Sequence, residues 1–256
     1  MRHRSLALFL LAVASLPASA LLLRGDREDA EYLELATRYP AAAVFADDGG
    51  EGVLIAPRWV LTAAHRAHPV KTPRKVHKVA IGGKDYEVEK VFAHPDATGG
   101  GASDIALVLL RDAVKDIEPS RLYRGDDELG KAVAIVGYGN HGKIGDKPRA
   151  PEKDRRLRAA INTIDRVWPA SFGLKVKPID EASDLQGAIV AAESGGPAFI
   201  ETPEGILVAG IAQFIDDVNN QGDWQLYLRV SSFVKWIEAQ MLQVAKDEAE
   251  ALLGSR

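Results

Sequence analysis

Punctuation constrains this chain most. Apolar runs of strand length recur from residue 42 onward, and Gly, Pro, Asn or Asp interrupts them before they reach helical length. Ala42–Ala46, Gly52–Ala56 and Val76–Ile81 come first. Lys84–Phe92 alternates weakly, with Tyr86, Val88 and Val91 as its apolar positions, and Ile105–Leu110 is apolar throughout, as a strand buried on both faces would be. Lys131–Tyr138, Leu157–Ile164, Ala198–Glu201, Ile206–Phe214 and Trp224–Arg229 follow. Many short strands separated by turn residues predict an all-β barrel or sandwich. The C-terminus departs from this pattern. Phe233, Trp236, Ile237, Met241 and Val244 recur at helical spacing, Ser231 or Ser232 is placed to cap that helix, and the polar tail from Lys246 to Arg256 is expected to fray.

The chain has 256 residues, 46% hydrophobic and 27% charged, which excludes disorder and leaves room for one large or two small cores. Its first twenty residues read as a targeting segment. A basic start at Met1–Arg4 precedes an apolar run, Leu6–Leu16, too short to span a bilayer, and Ala18-Ser19-Ala20 has the small-x-small pattern of a cleavage site. Residues 1–20 are therefore predicted to be a secretory signal peptide and 21–256 the mature chain, with an uncleaved anchor as the alternative. No later stretch is apolar enough for a membrane span, so the processed chain is expected to be secreted or periplasmic and free of the membrane. The formal net charge of −4 becomes more negative once Arg2 and Arg4 are removed, and the basic patches are short and lack interleaved aromatics, so no nucleic-acid partner is expected. There are no cysteines, and a domain of this size can bury enough apolar surface without disulfides. His68, His77, His94 and His141 do not have the spacing of a zinc site, and no cofactor is predicted. Asn140–Arg158, rich in Lys and Arg and broken by Pro148 and Pro151, reads as a long exposed loop.

Three separated segments hold the residues that could do chemistry. His65 ends Leu61-Thr62-Ala63-Ala64-His65, Asp104 opens Asp104-Ile105-Ala106-Leu107, and Ser194 lies in Glu193-Ser194-Gly195-Gly196-Pro197. Each has an ordinary reading alone: a structural histidine, a capping aspartate, a turn serine. Together they have a different meaning. A serine hydroxyl attacks a carbonyl only if a base takes its proton and a third group orients that base, which is the relation of serine, histidine and aspartate in acyl-transfer triads.

All three segments resemble those of the trypsin/chymotrypsin family of serine endopeptidases, in that family's order of His, Asp and Ser. Gly52–His65 is similar to the family's stretch around its histidine almost residue for residue, Asp104–Leu107 to its aspartate motif, and Ser194–Pro197 to the second half of its serine motif. Val136-Gly137-Tyr138-Gly139 resembles a Gly-aromatic-Gly turn and Leu226–Ile237 the last strand and terminal helix, so the likeness runs from about residue 41 to about 240. It implies two six-stranded antiparallel barrels of the chymotrypsin type with a C-terminal helix, the boundary between them near 120–130, in a bacterial-type, cysteine-free member. It also implies a polypeptide substrate, Ser194 as nucleophile, His65 as base, Asp104 as its orienting partner, and the backbone N–H groups of Ala192 and Ser194 as oxyanion donors. Activity is then expected to fall on acidification, with a midpoint roughly near 6 to 7. By the same resemblance Ala188 is the base of the specificity pocket, Ile215 and Gln225 its walls, and Gln213 stands beside them near the aspartate. With no acid at the base and no glycine walls, small or medium uncharged side chains are expected before the cut bond.

The departures carry their own expectations. Ala192-Glu193 replaces the family's Gly-Asp, which predicts strain at the oxyanion site and slow activity. The segment aligned with the family's activating terminus begins at Leu21, at the predicted signal cleavage, so Leu21, or Leu22, is expected to insert toward Glu193 and form the activation ion pair, with an internally paired Glu193 and no role for processing as the alternative. The family's usual cysteine after the histidine is here Arg66, and its partner aligns near Gly50; an ion pair between Glu51 and Arg66 is expected in place of that bridge, with two unrelated surface charges as the alternative. A catalytically weak homologue that acts as a binding protein, and an esterase-type hydrolase, remain open beside the endopeptidase.

Overall fold

The computed structural model describes residues 21–45, 50–67, 76–98, 101–139, 141–145, 156–189, 193–215 and 224–254. The signal-peptide expectation for 1–20 and the whole of His68 lie outside these residues. In chain order the elements are β1 (Leu22–Leu23), α1 (Asp29–Ala36), β2 (Ala42–Phe45), β3 (Glu51–Ala56), β4 (Trp59–Ala63), α2 (Ala64–Ala67), β5 (Lys78–Ile81), β6 (Lys84–Ala93) and β7 (Ile105–Leu110). Then come β8 (Arg121–Leu122), β9 (Ala132–Gly139), β10 (Gly142–Lys143), β11 (Arg156–Val167), β12 (Ser171–Lys175), β13 (Gly187–Ala188), β14 (Pro197–Thr202), β15 (Gly205–Ile215), β16 (Trp224–Arg229) and α3 (Val234–Gly254).

The strands close into two six-stranded antiparallel barrels of the chymotrypsin type. The first runs β2-β3-β4-β7-β6-β5 and returns from β5 to β2. The second runs β14-β9-β11-β12-β16-β15 and is sealed by the β14–β15 pairing, with β8 added in parallel to β15. Closure removes exposed strand edges. Every residue of Ile105–Leu110 is buried, as its unbroken apolar run requires. One apolar cluster fills the first barrel and continues through Ala134, Val136, Phe199, Val208, Ile211 and Leu228 of the second, so the two barrels share a seam. A separate cluster, including Ile135, Phe172, Leu174 and Tyr227, fills the second barrel, and Leu21 belongs to it.

Polar joints fasten what lies outside the barrels. Helix α1 starts where the Glu31 carboxylate accepts from the Glu28 N–H (3.0 Å), with Asp29 and Glu31 placed at its positive end. Asp29 then takes two bonds from Arg158 of β11, Nε to Oδ1 at 2.6 Å and a terminal nitrogen to Oδ2 at 2.9 Å. Arg158 is fully buried, so the loop expected over Asn140–Arg158 ends earlier than the sequence indicates, its last residues being drawn into β11 by this pairing. In the connection between the barrels, buried Glu128 accepts from Arg229 through both oxygens at 2.7 Å and from Ser231 Oγ at 3.0 Å.

The C-terminal helix differs from expectation at both ends. Neither serine caps it, because Ser231 Oγ donates to Glu128 and Ser232 Oγ to the Pro169 carbonyl, and a 3₁₀ turn over Val230–Ser232 leads into the helix instead. The expected fraying does not begin at Lys246, since helix continues to Gly254 and Glu248 is anchored by Arg58 at 2.9 Å. His94 packs against both Phe233 and Trp236 and holds the start of α3 on the first barrel. Among the described residues no helix is long and apolar enough to cross a membrane.

Replacing Asp29 by alanine removes two charge-assisted bonds from a buried guanidinium. It is expected to lower stability by about 2 kcal/mol, between the values for exposed and buried pairs, read as a shift in the urea midpoint at unchanged slope.

Candidate active site

Strand register brings the first two residues together. β4 and β7 pair with Ala63 opposite Ile105 and Leu61 opposite Leu107. Asp104 immediately precedes β7, and His65 lies in the single turn α2 that follows β4, so the two side chains emerge at neighbouring strand ends. The Ala64 N–H donates to the Asp104 carbonyl at 3.0 Å and fixes that turn. The carboxylate engages histidine twice: Oδ1 accepts from the His65 backbone N–H at 2.8 Å, and Oδ2 lies 2.5 Å from Nδ1. Asp104 has no solvent exposure, whereas the His65 side chain retains 28%. A carboxylate opposite Nδ1 favours the tautomer with the proton there, leaving Nε2 as an acceptor on the open side.

Asp104 is supported from behind. The Gly101 carbonyl accepts from the Asp104 N–H at 3.1 Å and from Gln213 Nε2 at 2.5 Å. Gln213, expected among the pocket residues and near the aspartate, thus acts on the turn that presents Asp104 rather than on its carboxylate.

The Ser194 turn is pressed against β3 and β4. The Glu51 N–H donates to the Ser194 carbonyl at 3.2 Å, Gly195 N–H donates to Ala212 at 2.7 Å, and Ala212 N–H donates to Gly196 at 2.8 Å. Gly195 has φ +92°, a region L residues rarely adopt, and a Cβ there would strike the Glu51 carbonyl and Thr62 Oγ. Thr62 Oγ donates to that same carbonyl at 2.5 Å. The half-buried Ser194 therefore follows the wall of the strand that ends two residues before His65. Ala192, the other expected oxyanion donor, lies outside the described residues.

The residues expected at the pocket base are packed into the structure. Ala188 and Gln225 are both fully buried, and the Gln225 amide bridges the β13 backbone, with Oε1 accepting from the Ile189 N–H at 2.8 Å and Nε2 donating to the Gly187 carbonyl at 3.3 Å. Ile215 ends β15 opposite Gln225 in the ladder. β1 lies beside this base, pairing antiparallel with β13 and parallel with β10. Leu21 is buried, and Gly137 brings it together with Glu193: a Cβ on that glycine would collide with the Glu193 carboxylate and lie 3.2 Å from Leu21 Cγ.

Around Arg66 the structure keeps one expected juxtaposition and changes its partner. A Cβ at Gly50 would stand 3.2 Å from Arg66 Cβ, so these positions do face each other. The expected Glu51–Arg66 ion pair is replaced by another arrangement, in which Glu51 is buried and its Oε1 accepts from the Tyr138 N–H of β9 at 2.6 Å, Arg66 acting on it only as a nearby charge. Burial pushes the Glu51 carboxyl well above the usual range, against the opposing pull of the Tyr138 amide and Arg66. Tyr227, stacked on Phe172 with centroids 5.5 Å apart, is likewise raised by burial and then by Glu193 and Glu51. Nothing in Asp48-Gly49-Gly50-Glu51-Gly52 marked Glu51 for burial, and Arg66 came forward only because the resemblance aligns Arg66 and Gly50 with a cysteine pair.

Residues 36–237 match the protein family described as Trypsin. The chain is 28% identical over 201 residues to "Serine protease SP24D" of Anopheles gambiae, covering 74% of this chain and 71% of that protein. It is 27% identical to "Urokinase-type plasminogen activator" of Gallus gallus and 28% identical to "Serine protease 56" of Mus musculus, again over 74% of this chain but only 50% and 34% of theirs. All three are animal proteins and lend no support to the expected bacterial-type subclass.

Gly195→Ala is expected to lower stability by upwards of about 2 kcal/mol, from the left-handed φ together with the displaced Glu51 carbonyl. Urea unfolding measures it, and Gly205→Ala, with positive φ and no neighbour within 4 Å, gives the backbone cost alone.

Proposed function

This chain belongs to the trypsin family of serine-type endopeptidases, and on that footing we propose that Ser194, His65 and Asp104 hydrolyse peptide bonds through an acyl-enzyme. The observation that carries this reading is the double engagement of His65 by a fully buried Asp104. Ser194 attacks the carbonyl, His65 Nε2 takes the hydroxyl proton and returns it to the leaving amine, and Asp104 steadies the imidazolium without accepting the proton. The negative oxygen formed on attack is received by the N–H groups of Ala192 and Ser194. The uncharged base at Ala188, with Gln225 beside it, favours small or medium uncharged side chains before the cut bond, because a buried lysine there would meet no counter-charge.

The same reading covers maturation. The chain is exported, residues 1–20 are removed, and the 21–256 protease then works free of the membrane as a secreted or periplasmic enzyme. Release of Leu21 as a new terminus supplies an ammonium for Glu193, a role supported by the burial of Leu21 and by its convergence with Glu193 on Gly137. A second reading, a binding protein that keeps the fold but little of the chemistry, draws on Ala192-Glu193 and on the packed residues at the expected pocket base.

A fluorophosphonate probe is expected to label the mature chain and to leave Ser194→Ala unlabelled, with the labelling rate falling on acidification as the base protonates. An unlabelled mature chain would favour the binding protein, and a rate flat between pH 5 and 8 would remove His65 as base. Peptide-library profiling of the labelled form is expected to show cleavage after small or medium uncharged residues, and hydrolysis of esters alone would mark an esterase. Forms that retain residues before Leu21 are expected to hydrolyse slowly, and N-terminal sequencing of the active fraction identifies the start. Cleavage dominated by Lys or Arg, or full activity in an extended form, would contradict the pocket and the activation pair respectively.

A further inference from the structure

Glu51 touches the Ser194 turn at several points along its own length. Its N–H holds the Ser194 carbonyl at 3.2 Å. Its carbonyl, itself held by Thr62, lies where a Cβ on Gly195 would be. Its side-chain Oε2 occupies the space a Cβ on Gly196 would need, while Oε1 accepts from the Tyr138 N–H at 2.6 Å. One residue of the first barrel thus braces three consecutive residues of the nucleophile turn and joins them to a strand of the second barrel. Nothing assigned above to Ser194, His65 or Asp104 requires an acid at this position.

We propose that Glu51 is a positioning residue for the nucleophile turn. This rests on Ser194 being the nucleophile. The Tyr138 amide of β9 fixes Oε1, while Oε2 lies against Gly196, so the side chain is clamped between a strand of the second barrel and the turn. Arg66 from α2 acts on the same carboxyl as a charge, and Tyr227 from β16 feels both Glu51 and Glu193. Burial raises the carboxyl more strongly than the amide and Arg66 lower it, as expected of a group packed into the structure rather than held in solvent. Without this brace the turn that presents Ser194 would shift, and the transition state would lose more than the ground state.

The test compares the mature wild type with Glu51→Gln, Glu51→Asp and Glu51→Ala by peptide hydrolysis and fluorophosphonate labelling. Glu51→Ala is expected to lose about 10²-fold in kcat with KM little changed, as misplaced reacting groups do. Glu51→Gln, which keeps the acceptor for the Tyr138 amide, is expected to restore most of that loss. Wild-type kcat in Glu51→Ala, or a Glu51→Gln no faster than Glu51→Ala, overturns the proposal. Should Glu51→Ala fail to fold, the other two variants decide: near wild-type kcat in Glu51→Gln with a loss in the shorter Glu51→Asp supports the role, and equal rates in both refute it. Wild type that takes no label overturns the nucleophile assignment and this role together, whereas labelled wild type with wild-type kcat in Glu51→Ala overturns this role alone.

Discussion

The pairing register of β4 with β7 is the constraint from which the site follows. With Ala63 opposite Ile105, the residues just beyond each strand are neighbours, and Asp104 meets both the backbone and the ring of His65. A slip of one residue would turn every side chain of β7 to the opposite face and carry Asp104 away from the imidazole. The slip is resisted because both faces of Ile105–Leu110 are packed, so exchanging them would misfit the side chains on each side. The orientation of the proposed base is therefore fixed by hydrophobic packing some distance from it.

Polar ties hold the barrels and the segments attached to them. Glu51 of the first barrel reaches Tyr138 of the second, Glu128 fastens the connecting segment to Arg229, and Asp29 fastens α1 to Arg158. Each joins elements far apart in sequence, and each places a charged or chargeable group in a poorly solvated setting, where a hydrogen bond is strong and its loss costly. The shared apolar seam supplies the bulk attraction between the barrels, and these bonds fix the position of β9, of the connecting segment and of α1.

What could be read in the sequence followed the range of the forces involved. Ile105–Leu110 and Trp224–Arg229 appear as strands with the expected limits, because apolar content at strand length is a local property. The two-residue strands β1, β10 and β13 exist only through one another, and nothing within Leu22–Leu23 or Gly142–Lys143 announces them. Helix α1 escaped notice for a related reason. It is eight residues long and rich in acids, and its place is fixed by Arg158, 129 residues away. At the site, His65, Asp104 and Ser194 were legible as motifs, and the contact between the first two is present. The partner of Glu51 was not legible, since the Tyr138 N–H that it meets lies on a strand 87 residues away and the alignment of Gly50 and Arg66 with a cysteine pair pointed to Arg66 instead. Gln213 meets the Gly101 carbonyl, which also accepts from the Asp104 N–H, and nothing in the sequence marked that carbonyl.

Gly50 and Arg66 stand face to face without sulfur, in a chain that has none to offer from cysteine. The fold accordingly has no oxidation step to await and no thiol to mispair. Reductants that loosen cross-linked relatives leave these barrels with every tie they had, so the protein's integrity is set by pH, salt and temperature, and is indifferent to the redox poise of its surroundings.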